Sequence, residues 1–306
     1  MIKNKDNIVT IIIPTYKGKD TILRAVNSAL NQTYNNLQVI VVDDNGRGTK
    51  EQLITQKLLQ NYIDNNKILY IAHEKNSNGS IARNTGLKYA IGEYICFLDD
   101  DDEFLPTKTK IQVELLNNTN SNIGMVVSSY KIKLPNGYYQ DMILCQPNDF
   151  LFEYLIHTMQ ACSSAIMMKK SVFNKVKEWD ETFKRHQDWE FFARVANEYG
   201  VIISDEICML KYKIDRNLPT DAVIAENYRM HYLNKLSYII DQLTSDKRKD
   251  VYAYNYFDIG KGYLKNKKFI KALQWAIKTK KPIWAINQYI IDAFSFVSKK
   301  GLTKND

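Results

Sequence analysis

The stretch Tyr94-Ile95-Cys96-Phe97-Leu98-Asp99-Asp100-Asp101-Asp102-Glu103 joins a short apolar, strand-like run directly to four consecutive aspartates. Adjacent carboxylates raise one another's pKa by like-charge repulsion, and a positive partner relieves the repulsion and keeps them ionised. Oxygen-only ligation of this kind suits Mg²⁺ or Mn²⁺, which keep positions open for phosphates. Taken alone, an acidic run is most often a solvated turn. Its place at the end of an apolar strand points the other way, because ligands of α/β sheets bind outside the carboxyl ends of strands.

Upstream of that run, strand-like and helix-like segments alternate. Residues 9–13 form a β-branched run closed by Pro14, and residues 21–31 follow with Ile22, Ala25, Val26, Ala29 and Leu30 at helical spacing. A second strand at 39–42 ends in the turn signal Asp43-Asp44-Asn45-Gly46. Residues 51–61 read as a helix, 68–71 as a third strand, 80–90 as a helix and 94–98 as a fourth strand. This α/β alternation predicts a parallel sheet with right-handed crossovers, with strand ends at Pro14, Asp43 and Asp99 along one edge. Further strands are expected at 123–133, 164–168, 201–203 and 207–212, with a helix at 188–197. Tyr138 and Tyr139 read as a hairpin return across Pro135-Asn136-Gly137.

The 306 residues, 45% hydrophobic and 25% charged, allow one large domain with an appendage or two modest domains. Cys96, Cys145, Cys162 and Cys208 are widely spaced without a CxxC pair, which fits free thiols in a reducing compartment and no zinc site. The polar opening and the short apolar run ended by Pro14 do not read as a signal peptide, and no stretch approaches the ~18 apolar residues of a membrane span. A cytoplasmic protein is expected. Of the net charge of +8, residues 216–306 hold 17 Lys+Arg against 8 Asp+Glu, so residues 1–215 carry −1. The expected division is an α/β domain at 1–215 and a basic helical region at 216–306.

Four features in this order and spacing resemble glycosyltransferase family 2, the nucleotide-sugar-dependent transferases of GT-A fold. They are Ile11-Ile12-Ile13-Pro14-Thr15-Tyr16, Val41-Val42-Asp43-Asp44, Ala82-Arg83-Asn84-Thr85-Gly86 and Asp99 to Asp102. The resemblance is strong over residues 8–105, looser over 106–215, and does not reach the tail. It implies a Rossmann-like α/β/α sandwich with a mostly parallel central sheet, followed by the small α-helical C-terminal region. It also implies inverting, metal-dependent sugar transfer. By the resemblance, Pro14, Thr15, Tyr16 and Asp44, with Asp43 beside it, hold the nucleotide base and ribose. A carboxylate accepting the uracil imide N–H would favour a uridine donor. Where the family commonly continues Gly-Ser-Thr-Asp, this chain has Asn45-Gly46-Arg47-Gly48-Thr49.

Arg83 is implied to contact the uracil or the diphosphate. The family's Asp-x-Asp motif falls on Asp99 and Asp101. Asp101 is the first choice for direct ligation of Mn²⁺ or Mg²⁺, with Asp99 or Asp100 on the ribose or a metal-bound water and Asp102 a helix cap or supporting residue. The base that deprotonates the acceptor hydroxyl maps to His186-Gln187-Asp188-Trp189-Glu190 with Arg194, where Gln187 replaces the usual acidic neighbour. Asp188 is the expected base, Glu190 the next candidate and His186 the third; an ordinary N-cap is the other reading of Asp188. Bacterial members often build capsule, O-antigen or other surface polysaccharides, so the implied partners are a UDP-sugar donor and a glycan or lipid-linked glycan acceptor. Residues 213–221 read as a loop that closes over the donor.

In the tail, residues 252–264 and 269–278 read as a helical hairpin like one tetratricopeptide unit. Residues 282–298 form an amphipathic helix with Ile283, Ile286, Ile290, Phe294 and Val297 on one face and lysines flanking it. That face either meets an anionic membrane surface or packs on the hairpin. Two other classes compete. A sugar nucleotidyltransferase would need a better phosphate loop than Tyr16-Lys17-Gly18-Lys19, and a non-catalytic glycan or nucleic-acid binding module has no use for the acidic run, which repels phosphate backbones. No nucleic-acid partner is expected.

Overall fold

The computed structural model describes residues 7–212 and 221–301, with side chains described as far as residue 292. The loop expected at 213–221 therefore lies outside the described residues except for Asp221, as do the side chains of Phe294 and Val297. The chain divides into two compact units, one of residues 1–154 and 159–215 and one of residues 155–158 and 216–306.

The first unit opens with β1 (Val9–Thr15), α1 (Ile22–Leu30), β2 (Leu37–Asp43), α2 (Lys50–Asp64), β3 (Leu69–Ala72), α3 (Gly79–Tyr89) and β4 (Tyr94–Phe97). The acidic run leads to β5 (Glu103–Phe104), α4 (Lys108–Asn117), β6 (Ile123–Lys133), β7 (Tyr139–Met142) and α5 (Phe150–Leu155). A 3₁₀ turn at Ser163–Ala165 precedes β8 (Ile166–Lys169), α6 (Val172–Val176), α7 (Gln187–Glu198) and β9 (Gly200–Tyr212). One sheet runs in the order β3-β2-β1-β4-β8-β6-β9-β5, with β7 paired to β6.

The first four strands are parallel, as their alternation with helices requires. β1 and β2 pair in register from Val9↔Leu37 to Thr15↔Asp43, so both strands end level. Ile11, Ile12, Ile13, Val41, Val42, Ile95, Cys96 and Phe97 are fully buried, the pattern of strands covered on both faces. Beyond β4 the sheet is mixed: β8 is antiparallel to β4 and β6, while β6 and β9 are parallel. The two strands expected at 201–203 and 207–212 are one strand. Its pairing passes from Ser128↔Ser204 to Ser129↔Ile207, which leaves Asp205 and Glu206 in a bulge that mimics a break in the pattern.

Close packing of α3 on β1 depends on Gly86. A Cβ there would lie 2.4 Å from Ile12 Cγ2, inside van der Waals contact. In the second unit, α8 (Ala222–Lys235), α9 (Ser237–Ile240), α10 (Ser245–Lys265), α11 (Phe269–Lys278) and α12 (Pro282–Gly301) follow one another. Its interior holds a polar cluster in which Arg229 donates to Asn255 Oδ1 at 2.9 Å and to Asp258 Oδ2 at 3.1 Å and meets the His157 ring. Burial, and then the Arg229 charge, push the His157 pKa down to about 3.

Two outcomes follow from this packing. Gly86→Val should lower stability by about 1–3 kcal/mol, read as a reduced urea midpoint, and an unchanged midpoint would contradict the close approach. His157 folds neutral, so its contribution is intact above the unfolded pKa of about 6.5 and is lost as pH falls toward its folded value. The second unit should lose on the order of 1 kcal/mol per pH unit below about pH 6.5, and His157→Gln should flatten that acid limb.

Candidate active site

The loop after β1 and the end of β2 are knitted together. Asp44 N–H donates to the Thr15 carbonyl at 2.9 Å, and Lys17 N–H to Asn45 Oδ1 at 2.8 Å. Pro14 is partly exposed and Thr15 buried, while Tyr16 is 41% exposed, the most open group of the three. Asp43 is fully buried, and its carboxylate accepts from Tyr70 Oη at 2.7 Å and from both N–H groups of Asn45 at 2.9 and 2.8 Å. Burial raises its pKa against these hydrogen bonds. The structure thus gives Asp43 internal partners and does not bring it to the surface of the site.

Asp44 is also buried. Its Oδ1 lies 2.7 Å from His73 Nδ1 and accepts from Ser77 N–H at 2.9 Å; its Oδ2 accepts from Asn76 Nδ2 at 2.9 Å and Asn78 N–H at 3.0 Å. Four partners occupy the roughly four acceptor positions of a carboxylate. In this structure Asp44 shapes the loop that starts α3. Asn78 completes that start, its Oδ1 accepting from Ile81 N–H at 3.1 Å as the N-cap.

One turn into α3, Arg83 is 7% exposed and reaches three separate segments. Its Nη2 pairs with Asp99 Oδ1 at 2.7 Å, its Nη1 donates to Gln187 Oε1 at 2.9 Å, and its guanidinium lies 4.8 Å from the centre of the Trp179 ring. The glutamine that stands where the family has an acidic residue thus supplies a carbonyl oxygen to the same arginine. Asn84 holds Trp179 in place through a reciprocal pair, accepting from Trp179 N–H and donating to its carbonyl, both at 2.9 Å.

The four aspartates have four different surroundings. Asp99 is partly exposed and pairs with Arg83. Asp100 is buried and accepts from Thr15 Oγ1 at 2.6 Å; Gly18 leaves it room, since a Cβ there would lie 2.0 Å from Asp100 Oδ2. Asp101 is partly exposed, and Arg24 Nη2 donates to its carbonyl at 2.6 Å. Asp102 is 1% exposed, accepts from Ser164 Oγ at 2.7 Å and lies 3.6 Å from Lys211 Nζ. Burial raises Asp102 to about 7, with Lys211 opposing and Asp99 and Asp101 adding.

Asp101 and Asp99, the metal donors expected from the sequence, are both partly exposed. Among the described residues no three His, Cys, Asp or Glu side chains gather as a metal cage.

At the start of α7, His186 occupies the N-cap position in a left-handed conformation (φ 60°) and stacks on Trp189 at 4.1 Å. Asp188 lies within the first turn and is not the cap. It is partly exposed, accepts from Trp189 N–H at 3.0 Å, and is raised in pKa by burial, with Arg83 opposing and Asp99 adding. Glu190, the second candidate base, is 4% exposed and bound by Arg194 through two bonds of 2.5 and 2.9 Å. Trp179, Ser164 and Lys211 were not anticipated. Lys211 carries only the signal of a cation at the end of a strand, and Trp179 lies in a stretch without periodicity.

The match to known proteins follows this geometry. Residues 10–177 match glycosyl transferase family 2. The chain is 25% identical to the amylovoran biosynthesis glycosyltransferase AmsB of Erwinia amylovora, over 88% of each. It is 23% identical to WfgD of Escherichia coli, a UDP-Glc:alpha-D-GlcNAc-diphosphoundecaprenol beta-1,3-glucosyltransferase, over 83% of this chain and 94% of that one. It is 29% identical to an uncharacterized glycosyltransferase of Rickettsia bellii, of which it spans about a third (34%). Among solved structures, S. aureus TarS 1-349 in complex with UDP-GlcNAc aligns at TM-score 0.56 and 16% identity, covering 92% of this chain and 90% of that one. The mannosyltransferase PcManGT of Pyrobaculum calidifontis, with GDP-Man and Mn²⁺, aligns at 0.58 and 15%, covering 94% and 80%. Both share the GT-A fold with this chain, and with the family match spanning more than half of its residues, the chain belongs to glycosyl transferase family 2.

Proposed function

We propose that the chain transfers a hexosyl or N-acetylhexosaminyl group from a UDP-sugar to a hydroxyl of a glycan or lipid-linked glycan, with inversion, in the synthesis of a bacterial surface polysaccharide. The reaction is assigned to the cytoplasmic side of the membrane. One observation carries the reading: Arg83 bonds both Asp99 of the acidic run and Gln187, the neighbour of Asp188. A cation for the leaving group, carboxylates for a metal and a carboxylate base are thereby joined through one guanidinium. The names of WfgD and of the TarS complex support a UDP-linked donor, and the names of AmsB and WfgD support a polysaccharide pathway.

In this reading Pro14, Thr15 and Tyr16 border the nucleoside, with the exposed Tyr16 ring offering a stacking face. Asp44 acts through the loop it holds. Arg83 Nε and Ser80 Oγ, on the first turns of α3, are buried without a hydrogen-bond partner and supply donors for diphosphate oxygens. Asp101, with Asp99, holds Mn²⁺ or Mg²⁺, whose chemistry when bound is to neutralise charge on the departing nucleoside diphosphate. Asp188 takes the proton of the acceptor hydroxyl as its oxygen attacks the anomeric carbon from the face opposite the diphosphate. Its raised pKa makes it a stronger base than an exposed carboxylate. Lys211, 3.6 Å from Asp102, offsets part of the negative charge that the acidic run concentrates.

Calorimetry with UDP, GDP, dTDP and CDP should show selective UDP binding that needs Mn²⁺, is abolished by EDTA and weakens at least about tenfold in Asp101→Ala. Failure of every nucleotide to bind would remove the donor assignment. Asp188→Asn should keep UDP affinity while lowering the transfer rate about 10²–10⁴-fold; near-wild-type turnover would exclude it as the base.

A further inference from the structure

In the second unit, α12 does not pack on its neighbours through its isoleucines. Ala285 is fully buried, and Trp284 and Tyr289 pack on Phe257 of α10, whereas Ile283, Ile286 and Ile290 are 76, 37 and 49% exposed. The preceding helix repeats the arrangement. α11 buries Ala272, Trp275 and Ala276 and leaves Phe269, Ile270, Leu273 and Ile277 from 50 to 77% exposed. At about 100° per residue those four side chains fall in one arc of about 100°, without a charge among them. The two stripes meet in a groove of about 490 Å³ lined by Leu264, Phe269, Leu273, Ile286, Tyr289 and Ile290.

The charged residues of the segment that carries this face are almost all cationic. Residues 264–292 contain seven lysines and a single acidic residue, Asp292, which pairs with Lys261 at 2.8 Å. Beside the α11–α12 turn a second hollow, of about 370 Å³, is lined by Arg248, Lys249, Lys278, Lys280 and Lys281 together with Tyr252 and Tyr256. Three of these cations already meet carboxylates: Arg248 with Asp241, Lys249 with Asp246 and Lys281 with Asp250. Lys278 Nζ lies 4.0 Å from the centre of the Trp275 ring. Among the described residues no helix is long and apolar enough to cross a membrane.

We infer that the α11–α12 face is a docking surface for an anionic lipid bilayer. Its isoleucines, leucine and phenylalanine enter the boundary between headgroups and acyl chains, and the lysine-lined hollow takes a lipid phosphate. Charge complementarity selects this occupant. In a twofold dimer the patch would meet itself and bring lysines against lysines. A nucleic acid would satisfy the lysines and leave seven aliphatic and aromatic side chains against a phosphate backbone.

The test is sedimentation of the full chain with phosphatidylcholine vesicles, with and without about 30% phosphatidylglycerol, at about 0.05 and 0.5 M salt. Wild type should pellet with the anionic vesicles at low salt, much less at high salt, and remain soluble with neutral vesicles. Ile270→Asp with Ile283→Asp, and separately Lys278→Glu with Lys280→Glu, should each reduce partitioning at least about tenfold. All four positions are on the surface, and a thermal melt matching wild type excludes misfolding. Failure of wild type to pellet with anionic vesicles, equal pelleting of either double variant, or an Ile270-dependent dimer without lipid would overturn the inference. None of these readouts depends on the nucleotide assignment.

Discussion

The buried charge of Arg83 is the constraint around which the site is arranged. A guanidinium that is 7% exposed is costly unless its hydrogen-bonding and charge requirements are met within the protein. Here Asp99 from the end of β4 and Gln187 from the start of α7 take Nη2 and Nη1, and the face of Trp179 lies against the guanidinium, while Nε is left without a hydrogen-bond partner. These partners stand 16, 104 and about 96 residues away in the chain, so no local preference brings them together. Their position follows from the ends of parallel strands lying level, from the Asp44-held loop that begins α3, and from Asn84 gripping the Trp179 backbone.

The same logic resolves the repulsion inherent in four adjacent aspartates. Each takes a different neighbour: Arg83 for Asp99, Thr15 for Asp100, and Ser164 with Lys211 for Asp102. Asp101 stays partly exposed, the position a phosphate-bridging metal would need. Arg24 adds a cation at its backbone carbonyl. The run is therefore spread over four different surroundings, with cations near Asp99 and Asp102 and a hydroxyl donor on Asp100.

Much of the first unit was legible because its strands are β-branched runs ended by Pro or Asp and its helices carry clear apolar periodicity. The helix over residues 269–278 and the strand over 123–133 stand where the pattern puts them. α4 was not legible for a physical reason. Its buried face mixes Lys108, Thr109 and Gln112 with Val113 and Leu116, and Lys108 Nζ donates to Gln112 Oε1 at 2.6 Å and to the Ile166 carbonyl at 3.1 Å, so buried polar residues interrupt the apolar pattern over its first turns. The family resemblance singled out Arg83, Asp99 and Asp188, yet neither the burial of Asp43 nor the hydrogen bonding of Asp44 could be read from it. Both depend on partners, Tyr70 and residues 73–78, that only the folded chain brings near. Gln187 looked like a defect in a motif, and its bond to Arg83 shows it keeping the acceptor that the geometry needs.

A crystal structure of the protein with UDP and Mn²⁺ is the decisive measurement. The diphosphate should lie beside Arg83 and the metal on Asp101, with Asp188 facing the open side of the bound nucleotide. A nucleotide bound elsewhere, or a diphosphate touching neither Arg83 nor an Asp101-held metal, would contradict this arrangement.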